Sequence, residues 1–205
     1  MSIWQLLKTG GFTIYLLLCG SVLSLAIIIE RCIYYRKRSK IKRVDFMNNI
    51  KKEISKHNIP QALELCKKTN SPFSSVVYSG LNLHGHSEVL ISNTMEREII
   101  IETTKLEKFT SIVGTIGSTA VYVGLFGTVL GIIRAFHDIS VAGSGGISVV
   151  ISGISESLAC TAMGLCVAVP AVIAYNYFTK KIDNFITEME LCASEIMDLI
   201  AVKQK

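Results

Sequence analysis

Apolar and charged positions fall in long blocks along this chain rather than at the short periods of a soluble fold. Phe12 to Ile29 is an uncharged run of roughly 18 residues, and Cys32 to Tyr35 extends it past Glu30 and Arg31. Such a run just crosses a hydrocarbon core of ~30 Å at ~1.5 Å per residue. A second block runs from about Phe109 to Ile133 without a charge, and a third from Ile147 to Thr179 is interrupted only by Glu156. The third is longer than a bilayer is thick, so its ends are expected to project. Between the last two blocks, Gly143, Gly145 and Gly146 predict a tight exposed loop.

The segments between the blocks read as helices. Asn58 can cap one with Pro60 in its first turn, and Ser71 can cap another beginning at Pro72. From Ser87 neither glycine nor proline intervenes before the second block, which predicts one continuous helix rising into it. After Lys180, apolar Ile182, Phe185, Ile186, Met189, Ile196 and Leu199 recur at three- and four-residue steps, the stripe of a helix packed on a neighbour. No strand-like alternation, hairpin signal or internal repeat is visible.

The fold class is therefore all-α, an integral membrane protein with three transmembrane helices, the second and third extending into a cytoplasmic helical bundle. The expected layout is a short periplasmic N-terminus 1–11, a first span 12–35 and a cytoplasmic helical segment 36–108. A second span 109–136, a short periplasmic loop 137–146, a third span 147–179 and a cytoplasmic helical tail 180–205 complete it.

Charge fixes the orientation. The chain is 50% hydrophobic with a net charge of +5, a basic balance that could point to nucleic acid. The cations instead crowd beside the apolar blocks. Arg31, Arg36, Lys37, Arg38, Lys40, Lys42 and Arg43 follow the first span, and Lys180 and Lys181 follow the third. Only Lys8 precedes the first span, and Arg134 closes the second. The positive-inside bias puts the N-terminus and glycine loop outside, and the middle segment and tail in the cytoplasm. A cleaved signal peptide would have a shorter apolar run and a small-x-small site after it. Bulky Leu18 before Cys19, with the run continuing beyond, argues against a lipoprotein anchor.

Six cysteines include no C-x-x-C or Cys/His cluster, so neither a disulfide framework nor a metal site is expected, and buried packing is the expected role. No nucleophile–base set or phosphate loop is visible, which argues against an enzyme, and no cofactor is indicated.

The polar positions inside the spans carry the chemistry. Gly114, Gly117, Ser118, Gly124, Gly127, Thr128, Gly131 and Ala135 recur at steps of three and four, mostly on one face that lets another helix approach closely. That helix could belong to this chain or to another subunit. Glu156 is the costliest residue, because a carboxylate in hydrocarbon must be paired, protonated or facing water. It is either an interhelical hydrogen-bonding group or part of an ion path. Ser148, Ser152, Ser155 and Cys160 share its side of the helix. Thr161 is turned about 140° away, so the two face different neighbours. Thr128 and Thr161 can meet as hydroxyls of antiparallel spans, or each can bond back to its own helix. Apart from Glu30, which closes the first span, the spans hold no second acid and no histidine, so a proton relay needs a carboxylate from a partner. Arg134 could meet Asp138 or, as expected here, snorkel to lipid headgroups.

Three ordered stretches carry a family resemblance. They are Gly124-Leu-Phe-Gly-Thr-Val-Leu-Gly-Ile, Gly153-Ile-Ser-Glu-Ser-Leu-Ala-Cys-Thr-Ala-Met-Gly-Leu and Val169-Pro-Ala-Val-Ile-Ala-Tyr-Asn. The chain resembles the ExbB/TolQ/MotA proton-channel family over about residues 116–178, and its ExbB/TolQ branch best. The resemblance implies an inner-membrane motor subunit that uses the proton motive force to drive a periplasm-spanning TonB- or TolA-like protein. It implies a homo-oligomer, a pentamer, around a single-span ExbD/TolR-like protein whose membrane aspartate carries the protons. Carried over by motif, Thr128 and Thr161 are the proton-path threonines and Glu156 the third-span acid. Pro170 is the kink proline and Asn176 the polar residue beyond it. Gly117, Gly124, Gly127, Gly131 and Gly164 serve helix packing. An ExbB-like role in outer-membrane transport leads, with a TolQ-like role in envelope maintenance and a non-conducting structural bundle as alternatives. Where the family often has proline, this chain has Val121 and Ser152, which should leave those helix segments straighter.

Overall fold

A computed structural model describes residues 11–142 and 147–203. The N-terminal segment, the three loop glycines and the side chain of Ser148 lie outside the described residues. Helices α1 (Gly11–Arg38), α2 (Arg43–Ser55), α3 (Ile59–Lys68), α4 (Pro72–Asn82), α5 (Glu88–Glu107), α6 (Thr110–Ala142) and α7 (Ile147–Lys203) account for nearly all of them. The described residues contain no strand. Three helices, α1, α6 and α7, are long and apolar enough to cross a membrane. This is an all-α membrane protein.

Two compact units are present. One comprises residues 1–30 and 109–177, the other 31–108 and 178–205. In the first, α1, α6 and α7 pack through Leu17, Ala120, Val167 and Ala168, and again through Ile27, Val113 and Ala171. Their outer faces keep Val22, Tyr122, Phe126, Ile133, Ile151, Val169 and Ile173 exposed, as lipid or neighbouring helices require.

In the second unit, α2 packs on α3, α3 on α4 and α4 on α5. Its core is Phe46, Met47, Ile50, Phe73, Val76, Val77, Leu81, Ile91 and Met95, with Phe178, Phe185, Met189 and Ile196 from the C-terminal half of α7. The apolar stripe after Lys180 therefore packs as its spacing predicts. Asn58 accepts from the Gln61 amide at 3.3 Å and caps α3. Ser71 stands at the N-cap position of α4 but makes no side-chain capping bond. Its hydroxyl is buried without a partner, while its carbonyl accepts from the Ser74 hydroxyl at 2.7 Å.

Cation–carboxylate pairs tie the second unit across its helices. Arg38 and Lys105 both reach the buried carboxylate of Glu102, at 2.9 and 2.7 Å. Glu195 on α7 takes Lys51 at 2.6 Å and also Arg43, and these cations hold its carboxyl below the usual range. Burial pushes the thiols of Cys66 and Cys192 up to about 12, so both behave as packing groups. Cys160 is buried as well, whereas Cys19, Cys32 and Cys166 sit on exposed helix faces, contrary to the expectation of burial.

The third span and the tail form one helix, through Pro170 and on to Lys203, so the third span extends beyond the membrane as its length predicts. Two helix boundaries differ from the sequence reading. The connection expected over 137–146 is shorter, because α6 stays helical through Ala142. The helix expected to run unbroken from Ser87 into the second span ends at Glu107, and Phe109 takes a left-handed φ of 67°. A left-handed turn at a non-glycine residue costs about 1–2 kcal/mol.

Side chains of α1 compensate that break. The Tyr35 hydroxyl donates to the Leu106 carbonyl at 2.8 Å and Arg31 donates to the Lys105 carbonyl at 3.3 Å. In an unbroken helix these carbonyls would accept from residues four further along. Tyr35 is itself fully buried against Phe178. Tyr35→Phe leaves the Leu106 carbonyl without that donor and should cost about 1–3 kcal/mol. Thermal unfolding in detergent should show the melting temperature fall; an unchanged value contradicts this account of the break.

Candidate functional site

Glycines bring α6 and α7 into backbone contact along the membrane unit. A Cβ added at Gly124 would lie 2.8 Å from the Cys160 carbonyl and 3.1 Å from the Cα atoms of Gly164 and Thr161. One added at Gly164 would lie 2.7 Å from the Ala120 carbonyl. Above and below this crossing, Gly117 lies against Val172, Gly131 against Ser157 and Gly153 against Ala135, an antiparallel register. Gly127 packs against both Cys160 and Thr13 of α1. The glycine face is thus used within the chain, one of the two possibilities its pattern left open.

That approach sets the threonines against each other. Thr128 is buried and Thr161 half-buried, and their hydroxyls hydrogen-bond directly. The Thr128 hydroxyl also lies 3.1 Å from the Ser157 carbonyl and 3.2 Å from the Gly124 carbonyl. The Thr161 hydroxyl lies 3.4 Å from the Gly124 carbonyl. Each hydroxyl has one proton to give. Thr161 can donate to Thr128 while Thr128 donates to Ser157. In the reverse order Thr128 donates to Thr161, which donates to Gly124. Either way one threonine oxygen keeps free lone pairs, ready to accept from an acid brought alongside. The pair can pass a hydrogen bond, but its hydroxyls are too weakly acidic to store a charge.

Glu156 is half-buried and lies in a separate place, as its rotation from Thr161 requires. It lines a cavity of about 310 Å³ in the membrane unit, with Arg134 and Asp138 of α6, Ser152, Ser157 and Cys160 of α7, and Thr13 of α1. Arg134 does not pair with Asp138, which instead lies 3.7 Å from His137. Ser152 and Cys160 share the Glu156 cavity; Ser155 is exposed outside it. Asn176 is exposed, and Pro170 stays inside α7. Among the described residues no group of His, Cys, Asp or Glu could hold a metal.

Two residues escaped the sequence reading. Ser157 is buried, borders the cavity and lends its carbonyl to Thr128, joining the two polar sites. Only its place one turn before Thr161 hinted at this. Thr13 is buried at the start of α1, where the first span showed only an apolar run.

The family model described as the MotA/TolQ/ExbB proton channel family matches residues 68–191, a stretch that contains both threonines and Glu156. The chain belongs to this family. MotA/TolQ/ExbB proteins are channels and not enzymes. Similar curated relatives include the biopolymer transport protein ExbB of Pseudomonas putida, 29% identical over 98% of this chain and 64% of that protein. The ExbB of Xanthomonas campestris pv. campestris is 37% identical over 54% of this chain and 44% of its own length. The Tol-Pal system protein TolQ of Pseudomonas aeruginosa is 38% identical over 54% of this chain and 48% of its own length. This MotA/TolQ/ExbB chain therefore spans less than two thirds of each of these relatives.

Glycine substitution tests the crossing. Gly124→Ala drives a methyl into backbone and should cost about 1–3 kcal/mol. At Gly114 the nearest atoms to an added Cβ belong to the Tyr175 ring, 2.9 Å away, a side chain rather than backbone, so Gly114→Ala should cost less. Equal melting temperatures for the two variants in detergent would argue against a backbone-limited crossing.

Proposed function

We propose that this chain is the proton-channel subunit of an ExbB-like energising complex in the bacterial inner membrane. The proton motive force there would drive a periplasm-spanning TonB-like partner for outer-membrane transport. The observation that carries the reading is the Thr128–Thr161 pair: two hydroxyls hydrogen-bonded across antiparallel spans, one residue from a cavity holding Glu156. Apart from Glu30 at the end of the first span, Glu156 is the one acid within the expected spans, and the threonines cannot store a proton. The titrating carboxylate then comes from a single-span ExbD/TolR-like protein, with this chain forming the surrounding homo-oligomer, a pentamer by resemblance. The flanking cations support an orientation with N-terminus and α6–α7 connection periplasmic and C-terminus cytoplasmic.

In this mechanism the partner's carboxylic acid docks beside the threonine pair and hydrogen-bonds to whichever oxygen is free. Releasing its proton to water, it becomes a charge that the low-dielectric span disfavours, which pulls it toward a new position. The glycine crossing keeps the threonine oxygens fixed while the partner moves. Pro170 and Asn176 shape α7 beyond the crossing. A TolQ-like role in envelope maintenance uses the same chemistry, and the similarity to TolQ of Pseudomonas aeruginosa supports it to the same degree as the matches to ExbB.

Thr161→Ala and Glu156→Ala should each lower proton-driven work about tenfold or more, while the complex still assembles. Unchanged partner-dependent work in both variants overturns the proton path. The purified complex should contain a single-span protein with an Asp or Glu in its span; its absence removes the motor reading.

A further inference from the structure

The cavity beside Glu156 raises a question of selectivity. Its carboxylates, Asp138 and Glu156, stand with the hydroxyls of Thr13, Ser152 and Ser157 around about 310 Å³, room for several waters. Carboxylates, hydroxyls and water are the oxygen donors that hard metal cations take. A vestibule built from those groups alone would attract sodium or potassium as well as protons.

Arg134 changes that balance. It lies one helical turn before Asp138 on α6, lines the same cavity and brings a guanidinium cation to it. With both acids ionised the lining carries one net negative charge instead of two. Arg134 is exposed, so its positive charge stands at the open side of the space that a metal ion would have to enter. A metal ion must bring its own charge and shed water to enter, whereas a proton can hop along waters and a carboxylate already present.

Resting on the motor reading above, we propose that Arg134 is a specificity-determining residue for the coupling ion. Its guanidinium takes the electrostatic place of a metal cation in the Glu156 cavity. The outer approach to the threonine pair is thereby left to protons. Ser157 links the two sites: its side borders the cavity and its carbonyl accepts from Thr128.

The test uses the full chain in its native complex. Cysteine is placed at Ser152 (S152C), and its labelling by a cationic and by an anionic membrane-impermeant methanethiosulfonate is measured over the background of the chain with Ser152 retained. Arg134→Gln should raise the cationic-to-anionic rate ratio about tenfold, and Arg134→Lys should hold it near the parent value. In parallel, proton-driven work is measured with sodium exchanged for choline at constant ionic strength. The parent and Arg134→Lys should be indifferent; Arg134→Gln should lose about threefold or more in sodium, where an extra kcal/mol of cation binding suffices. A labelling ratio that does not move overturns the proposal, and so does a ratio that moves without any sodium response. Failure of the motor reading is distinguishable, since it removes the work readout in every variant while the labelling ratio still responds to Arg134.

Discussion

Everything polar in the membrane unit depends on how closely α6 can approach α7. With no Cβ at Gly124 or Gly164, the two backbones touch, and the Thr128 and Thr161 hydroxyls come within hydrogen-bonding reach. A methyl at either glycine would meet a carbonyl oxygen, which cannot move without dragging its helix. Lipid offers little hydrophobic drive for helices to associate, so close backbone packing and interhelical hydrogen bonds have to supply it. Here the two are the same feature. The crossing makes the hydrogen bonds possible, and the hydrogen bonds satisfy hydroxyls that burial would otherwise penalise by about 1–3 kcal/mol each.

That arrangement also separates two tasks on α7. Thr161 faces α6 at the crossing, and Glu156, turned away from it, faces the cavity with Arg134 and Asp138. Ser157 stands between them and serves both. A rigid hydroxyl pair and an ionisable pocket are different kinds of site, and keeping them a turn apart lets each have its own surroundings. The second unit is held by its own contacts: the buried Glu102 carboxylate with two cations, Glu195 with two more, and an aromatic cluster of Tyr35, Phe178 and Phe185.

Much of this was readable in the sequence, for identifiable reasons. The spans were legible because hydrocarbon tolerates few charges, while the threonine contact was legible only as one of two alternatives, and the structure has Thr128 near both Thr161 and its own helix's Gly124 carbonyl. The break at Phe109 was not, since its cause lies in Arg31 and Tyr35, more than 70 residues away in the chain. Nothing local, neither glycine nor proline, marks it. Ser157 stayed hidden because its contribution to Thr128 is a backbone carbonyl, which every residue possesses. Arg134 was read as a snorkelling cation because a lone arginine near the end of a span usually snorkels, and its exposed side chain suits that reading. Only the fold shows that it also lines a cavity with two acids.

The central claim is that this chain supplies half of a proton path. Proton flux into proteoliposomes under an imposed membrane potential tests it most directly, comparing the chain alone with the complex that contains its single-span partner. The account predicts flux for the complex and none above the lipid background for the chain alone. Equal flux in the two preparations would contradict it.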